Sequence, residues 1–307
     1  WVIHSFMCYV NKMTNTKEIV DIFLSSKITN ISDPEMYSIS KLGGITNDSF
    51  KVGVSDRYFV LRLPGKNPDL INRKAEKINQ TLAAEAGLTL PFLYFDENTG
   101  IKISDFESNL VALEPDQLKS KEYINTALIT LNELHQSNIS FEQCFDHYAF
   151  FNEIQKEEEY KEMAEIGNYL LEKIKAINQK LVPCHKDIYG PNFVLLGGDM
   201  YLIDWEYSGM ESKFFDYGDL CLQQNIEEDQ RKQLFLELEL EERGDDQVLW
   251  NLYRHLSSLT WGLWATRKGV LDEETDKDYL NLGKNKIKSV FEAVSTENFE
   301  KHLSRKY

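Results

Sequence analysis

Cysteine is scarce in this chain. Four residues in 307, Cys8, Cys144, Cys184 and Cys221, fall at no spacing that a disulfide framework or a thiolate metal site would use. That scarcity excludes a disulfide-stapled scaffold and points to a reducing compartment, the cytoplasm. Long apolar runs are missing as well: none reaches the ~20 residues of a membrane helix. The fairly apolar start, Trp1 to Val10, lacks a basic flank and a small-residue cleavage site. No membrane partner is expected, and residues 1–12, which precede the polar run from Met13, read as an extension. Proline-rich linkers, internal repeats and low-complexity tracts are also absent. Positive charge is in short supply, with 34 Lys and Arg against 50 Asp and Glu, a net charge of −16. A surface of that sign repels phosphate backbones and anionic bilayers, which excludes general nucleic-acid binding, and it suits a cationic small substrate.

What is present fits a folded globular protein. Hydrophobic residues make up 42% and aromatics 12%, enough for one large domain or two lobes. The most informative stretch runs from His185 to Tyr207, HKDIYGPNFVLLGGDMYLIDWEY. Asp187 stands five residues before Asn192. A short apolar strand follows (Phe193 to Leu196), then a Gly197-Gly198-Asp199 turn, then a second strand (Met200 to Ile203) that ends at Asp204. A hairpin of this kind returns Asp204 to the side of Asp187 and Asn192. Phosphoryl transfer uses such a set: one acid to accept the proton of an attacking hydroxyl, and an amide and a carboxylate to hold magnesium beside a triphosphate. The spacing H-x-D-x-x-x-x-N followed by I-D is that of kinase catalytic and metal loops.

Upstream, Thr16 to Ser25 reads as a helix. Tyr37 to Leu42, Ser49 to Val54 and Tyr58 to Leu63 read as three antiparallel strands. Gly43 and Gly44 mark the first turn, whose backbone N–H groups from Ile45 through Thr46 and Asn47 to Ser49 could face a phosphate or simply close a hairpin. Arg62 interrupts an apolar strand, where a guanidinium can grip phosphate oxygens or point to solvent from an edge. The helix pattern from Asp69 to Ala86, closed by Gly87, offers Glu76 as the carboxylate that orients Arg62, with Glu85 as the alternative. Strands at Phe92 to Asp96 and Ile101 to Phe106 lead to a crossing at Glu107-Ser108-Asn109, where a kinase hinge would lie.

Beyond Lys121 the chain turns helical. Tyr123 to His135 is one helix, with His135 a capping or core residue, and Asn152 to Lys180 reads as a single long helix. Asp216 in SKFFDYGDL reads as an N-cap with Asp219 at N3, a helix start that would brace the catalytic loop. Trp261 and Trp264, three apart, share a helix face. Alone they read as core. Beside Tyr207 and Tyr279 they could enclose a quaternary ammonium through cation–π attraction.

The segments SKLGGITNDSFKV, YFVLRLPG, NRKAE, LNELHQSN, HKDIYGPNF, YLIDWEYSG, FFDYGDL and TWGLW, in this order from about residue 38 to 265, resemble the choline/ethanolamine kinase family, related to the aminoglycoside phosphotransferases. GIKIS and NISFEQCFDHY look like bacterial members. The resemblance implies an α+β, bilobal protein-kinase-like fold. A small β-rich nucleotide-binding lobe would span residues 13–105, and a larger helical lobe, catalytic and choline-binding, residues 106–307. It also implies an ATP- and Mg²⁺-dependent transfer to the choline hydroxyl. Asp187 would be the general base, Asn192 and Asp204 the metal ligands, and Arg62 with Glu76 the phosphate anchor. Tyr207, Trp261, Trp264 and Tyr279 would surround the trimethylammonium. Gln223 departs from the family pattern, which tends to be acidic there, as do Met210 and Ser212 where aromatics are frequent. Ethanolamine, an aminoglycoside or another small alcohol stay open as acceptors, with Glu211 and Asp219 as candidate pocket carboxylates. So do a choline-binding pseudokinase and a homodimer paired through helical faces.

Overall fold

The computed structural model describes residues 15–43, 47–65, 71–223, 238, 240, 244–271 and 277–294, without the side chains of 43, 223, 268–271 and 277–279. Gly44 and Thr46 of the first turn lie outside the described residues, as does the Tyr279 side chain.

The N-terminal part is a five-stranded antiparallel sheet in the order β1-β2-β3-β5-β4. Its strands are β1 (Tyr37–Gly43), β2 (Asp48–Val54), β3 (Arg57–Leu63), β4 (Tyr94–Phe95) and β5 (Lys102–Asp105). Alternation drives it: Val52, Val54, Phe59, Leu61 and Ile103 face helix α1 (Thr16–Ser25), whose Ile19, Val20 and Phe23 complete a small core. Asn15 caps that helix by accepting from the Lys17 N–H. Register places Arg62 opposite Ser49 on one side and Lys102 on the other, so Arg62 stands in the central strand. The edge-strand alternative is therefore excluded.

Helix α2 (Arg73–Glu85) starts where Asn72 accepts from the Ala75 N–H, four residues later than the hydrophobic pattern suggested. It ends at Gly87, whose φ of +76° is the left-handed conformation that glycine adopts freely. The chain leaves the sheet after β5 and reappears as β6 (Val111–Ala112), which pairs with β8 (Phe193–Leu196) of a three-stranded sheet completed by β9 (Asp199–Leu202). The β8–β9 turn matches the sequence reading, with Gly197 and Gly198 at φ +66° and +101°. Strands β7 (Leu181–Cys184) and β10 (Gly209–Ser212) form a second antiparallel pair beside it.

Helices supply the rest: α3 (Lys121–Gln136), α4 (His147–Ile154), α5 (Lys161–Lys175), α6 (Lys213–Gln223), α7 (Asp245–Leu271) and α8 (Lys277–Val294). They enclose the large core, which includes Leu131, Phe150, Leu170, Phe193, Trp205, Tyr217, Trp250 and Leu263. The single helix expected over 152–180 is instead α4 and α5 joined by a 3-10 turn, Glu158–Tyr160. The break buries Tyr160 and lets the two helices close on each other: a Cβ on Gly167 of α5 would stand 2.5 Å from the Phe151 ring of α4. Among the described residues no helix is long and apolar enough to cross a membrane.

Candidate active site

Asp187, Asn192 and Asp204 come together through the β8–β9 hairpin. The Ile203 N–H donates to the Asn192 carbonyl at 2.9 Å, joining the end of the second strand to the loop before the first. Asn192 Nδ2 donates to the Asp187 backbone carbonyl at 3.0 Å and to its Oδ2 at 2.9 Å, which orients both side chains. Lys186 and Asp204 adopt φ of +66° and +67°, sharp bends that non-glycine residues keep only where neighbours hold them.

Those neighbours are identifiable. Asp216 accepts from the backbone N–H of His185 at 3.0 Å and of Lys186 at 2.8 Å, and from His135 Nε2 at 2.9 Å. Its helix, α6, begins three residues earlier, at Lys213, so Asp216 lies inside the helix and caps nothing. Its task is the bracing that the helix start was expected to perform. Burial works to raise its carboxyl pKa, but the hydrogen bonds from His135 and the loop outweigh it and hold it below the ordinary range. Asp219, one turn on, accepts from the Ile188 N–H at 2.8 Å and from Ser257 Oγ at 2.6 Å, so it too holds the loop. His185 itself bridges to the Ile203 carbonyl at 2.9 Å and packs on Trp205 with ring centroids 4.8 Å apart.

Arg62 is 5% exposed. Its guanidinium reaches Glu76 at 2.6 Å, Asp204 at 2.8 Å and the Gly100 carbonyl at 3.2 Å. Glu76 is fully buried, whereas Glu85 is exposed, which decides between the two candidates. Glu76 also pairs with Arg73 at 2.7 Å and lies 3.8 Å from Lys102. Arg73 continues to Glu206 at 2.8 Å, and Glu206 accepts from Asn47 Nδ2 at 3.2 Å. The turn after β1 is thereby tied to the loop carrying Asp204. Sequence reading missed Arg73, Lys102 and Glu206. Arg73 and Glu206 lie inside NRKAE and IDWEY, but nothing in the linear order pairs residues 133 positions apart.

Electrostatics separate the two acids. Burial, followed by the nearby Asp219 and Asp204 carboxylates, pushes the Asp187 carboxyl well above its usual range. Burial also works to raise Asp204, but Arg62 and Lys102 more than offset it and keep that carboxyl below its usual range. Their surroundings thus push the two carboxyls in opposite directions, Asp187 up and Asp204 down.

Tyr207, 6% exposed, meets Trp261 edge-on with centroids 4.8 Å apart, and Trp261 meets Trp264 at 6.1 Å. The three rings form one contiguous set, backed by Phe145 at 5.5 Å from Tyr207. Burial raises the Tyr207 phenol well above its ordinary pKa, helped by the charges of Glu206, Asp187 and Asp204.

A β-sheet joined to a helical portion, with the Arg62–Glu76 pair meeting Asp204 at the end of a hairpin that follows the Asp187–Asn192 loop, defines the protein-kinase-like class. Comparison narrows it. The family model for choline/ethanolamine kinase matches residues 39–291, and the chain belongs to that family. Protein LicA of Haemophilus influenzae is 30% identical over 187 residues, 58% of this chain, which spans 55% of that protein. The probable ethanolamine kinase A of Dictyostelium discoideum is 27% identical, with 92% of this chain and 93% of that one aligned. The fold is shared with the choline kinase LicA of Streptococcus pneumoniae (TM-score 0.74, 23% identity, 90% of this chain and 98% of that one). It is shared too with a LicA in complex with AMP (TM-score 0.77, 22% identity, 91% and 99%).

Proposed function

We propose that this chain is an ATP- and Mg²⁺-dependent choline kinase. The observation that carries this reading is the continuous ring set Tyr207–Trp261–Trp264, whose Tyr207 stands three residues after Asp204. A quaternary ammonium has no N–H to donate, so it is held by aromatic faces, each worth about 0.5–2 kcal/mol.

In this mechanism the choline oxygen attacks the γ-phosphorus, its proton passes to the Asp187 carboxylate, and the bond to the ADP oxygen breaks. Asn192 keeps Asp187 aimed by donating to its Oδ2. With its Nδ2 engaged by Asp187, Asn192 would offer Oδ1, and Asp204 its carboxylate, as hard oxygen ligands of the kind magnesium takes. Asn192 and Asp204 would hold magnesium, which would supply positive charge to offset that of the triphosphate. Arg62, steered by Glu76, offers its guanidinium to the phosphates. Of the glycine turn expected to cover them, Gly43 ends β1, and Asn47 and Ser49 flank Asp48 where β2 begins. Catalysis then proceeds in a cytoplasmic, reducing setting, as the cysteine usage suggests.

The deciding experiment is ATP consumption by the purified chain with Mg²⁺ and, in separate reactions, choline, ethanolamine and an aminoglycoside. Turnover selective for choline is expected. Preference for ethanolamine or the aminoglycoside would keep the phosphotransfer and discard the ring enclosure, and no acceptor-dependent turnover would leave a choline-binding protein.

A further inference from the structure

Resting on the reading above, Glu76 positions Arg62, so whatever fixes α2 fixes part of the site. By sequence α2 sits between β3 and β4 and belongs with the sheet. Its attachments run elsewhere. At its start, the Asn72 N–H donates to the Cys144 carbonyl at 2.9 Å, and Arg73 reaches Glu206 at 2.8 Å. Past its end, the Leu88 carbonyl accepts from the Leu202 N–H of β9 at 3.1 Å. Ala83 and Leu88 are buried in the large core, and among the described residues α2 contributes nothing to the small core under the sheet.

Between these ends stands Asn79, fully buried. Its Nδ2 donates to the Glu142 carbonyl at 2.8 Å and Ser208 Oγ at 3.0 Å, and contacts Cys144 Sγ at 3.3 Å; its Oδ1 accepts from the Glu142 N–H at 2.8 Å. One side chain thus joins α2 to the segment before α4 and to Ser208, four residues after Asp204. Toward the sheet, α2 offers chiefly polar contacts: Glu76 to Arg62 at 2.6 Å and to Lys102 at 3.8 Å, and Gln80 Oε1, which accepts from Lys102 Nζ at 2.8 Å.

We propose that α2 is a fixed part of the catalytic lobe, that the seam between the lobes passes between α2 and β3, and that Asn79 is the positioning residue that sets Glu76 relative to the metal loop. The helix carrying the glutamate does not swing in this protein. Arg62, on the sheet side, instead reads the closure by meeting Glu76 and Asp204 at once. An apolar side chain at 79 would remove the partner of both Glu142 backbone groups, each held at 2.8 Å, and a partner of Ser208 Oγ.

Hydrogen exchange on the full chain tests the seam, with and without Mg²⁺ and adenylyl imidodiphosphate, a non-hydrolysable ATP analogue. Peptides covering 73–85 should exchange as slowly as those covering 142–144 and 205–208. The analogue should protect β1–β3 while changing α2 by less than about twofold. Fast exchange in α2 that gains protection together with β1–β3 would overturn the proposal. Kinetics test Asn79. In Asn79→Leu the KM for ATP should rise about tenfold with the acceptor KM unchanged, and in the milder Ser208→Ala by about threefold, because only the phosphate end of the site loses its alignment. Equal movement of both constants, or a lower Tm with neither moved, would refute the role. The exchange arm needs no turnover, so it decides this proposal even if every acceptor fails.

Discussion

Replacing Arg62 with methionine removes a cation that is nearly out of solvent and carries two ion pairs at 2.6 and 2.8 Å. With charge centres about 4 Å apart at an effective dielectric near 20, each pair is worth about 4 kcal/mol before desolvation. Returning the guanidinium to water recovers several kcal/mol of that, and removing one partner of a buried pair typically costs about 3–5 kcal/mol. Two features place this site at the lower end. Glu76 keeps Arg73 at 2.7 Å, and the Asp204 side chain, 25% exposed, regains water. The expected loss for Arg62→Met is therefore about 3 kcal/mol, read from urea unfolding followed by circular dichroism at pH 7. Lysine keeps the charge but cannot span both carboxylates, so Arg62→Lys should lose about 1–2 kcal/mol. Unfolding of Arg62→Met within about 0.5 kcal/mol of wild type would mean that the ion pairs merely offset their own desolvation, and the central role given to this residue would be wrong.

Asp187→Ala and Asp204→Ala should each lower turnover by at least about a hundredfold with the circular dichroism spectrum retained; comparable turnover in either defeats the assignment of base and metal ligand. Trp261→Ala or Trp264→Ala should raise the KM for choline well above any change in the KM for ATP, and parallel changes would remove the ring enclosure. Asp216→Asn probes the loop brace. Because the folded-state pKa of Asp216 is depressed, its contribution is present above the ordinary carboxyl value of 3.8 and is lost as pH falls through the lower folded value. Denaturation at pH 7 should show a deficit of about 2–3 kcal/mol that shrinks toward pH 3; a deficit independent of pH would contradict it. Gly167→Leu, which drives a side chain into the Phe151 ring, should cost about 1–3 kcal/mol in Tm or urea unfolding.

Sequence alone determined what depends on near neighbours. The β8–β9 hairpin was legible because two glycines with positive φ separate two short apolar strands, a local geometry that returns the chain end carrying Asp204 toward the loop of Asp187 and Asn192. Helix α1, the first three strands and the paired tryptophans of α7 follow from periodicity in the same way. Periodicity also misled, since one amphipathic stripe over 152–180 conceals a 3-10 turn that is followed by the close approach of Gly167 to Phe151. The helix pattern offered Glu76 with Glu85 as the alternative, and only burial and the contact with Arg62 separated them.

Tertiary structure alone decided the partnerships. Asp216 meets His135 across 81 positions, Asn79 meets Ser208 across 129, and Arg73 meets Glu206 across 133. No local rule selects such pairs, because each charged or polar group is acceptable in water and acquires a required partner only when the surrounding core removes the water.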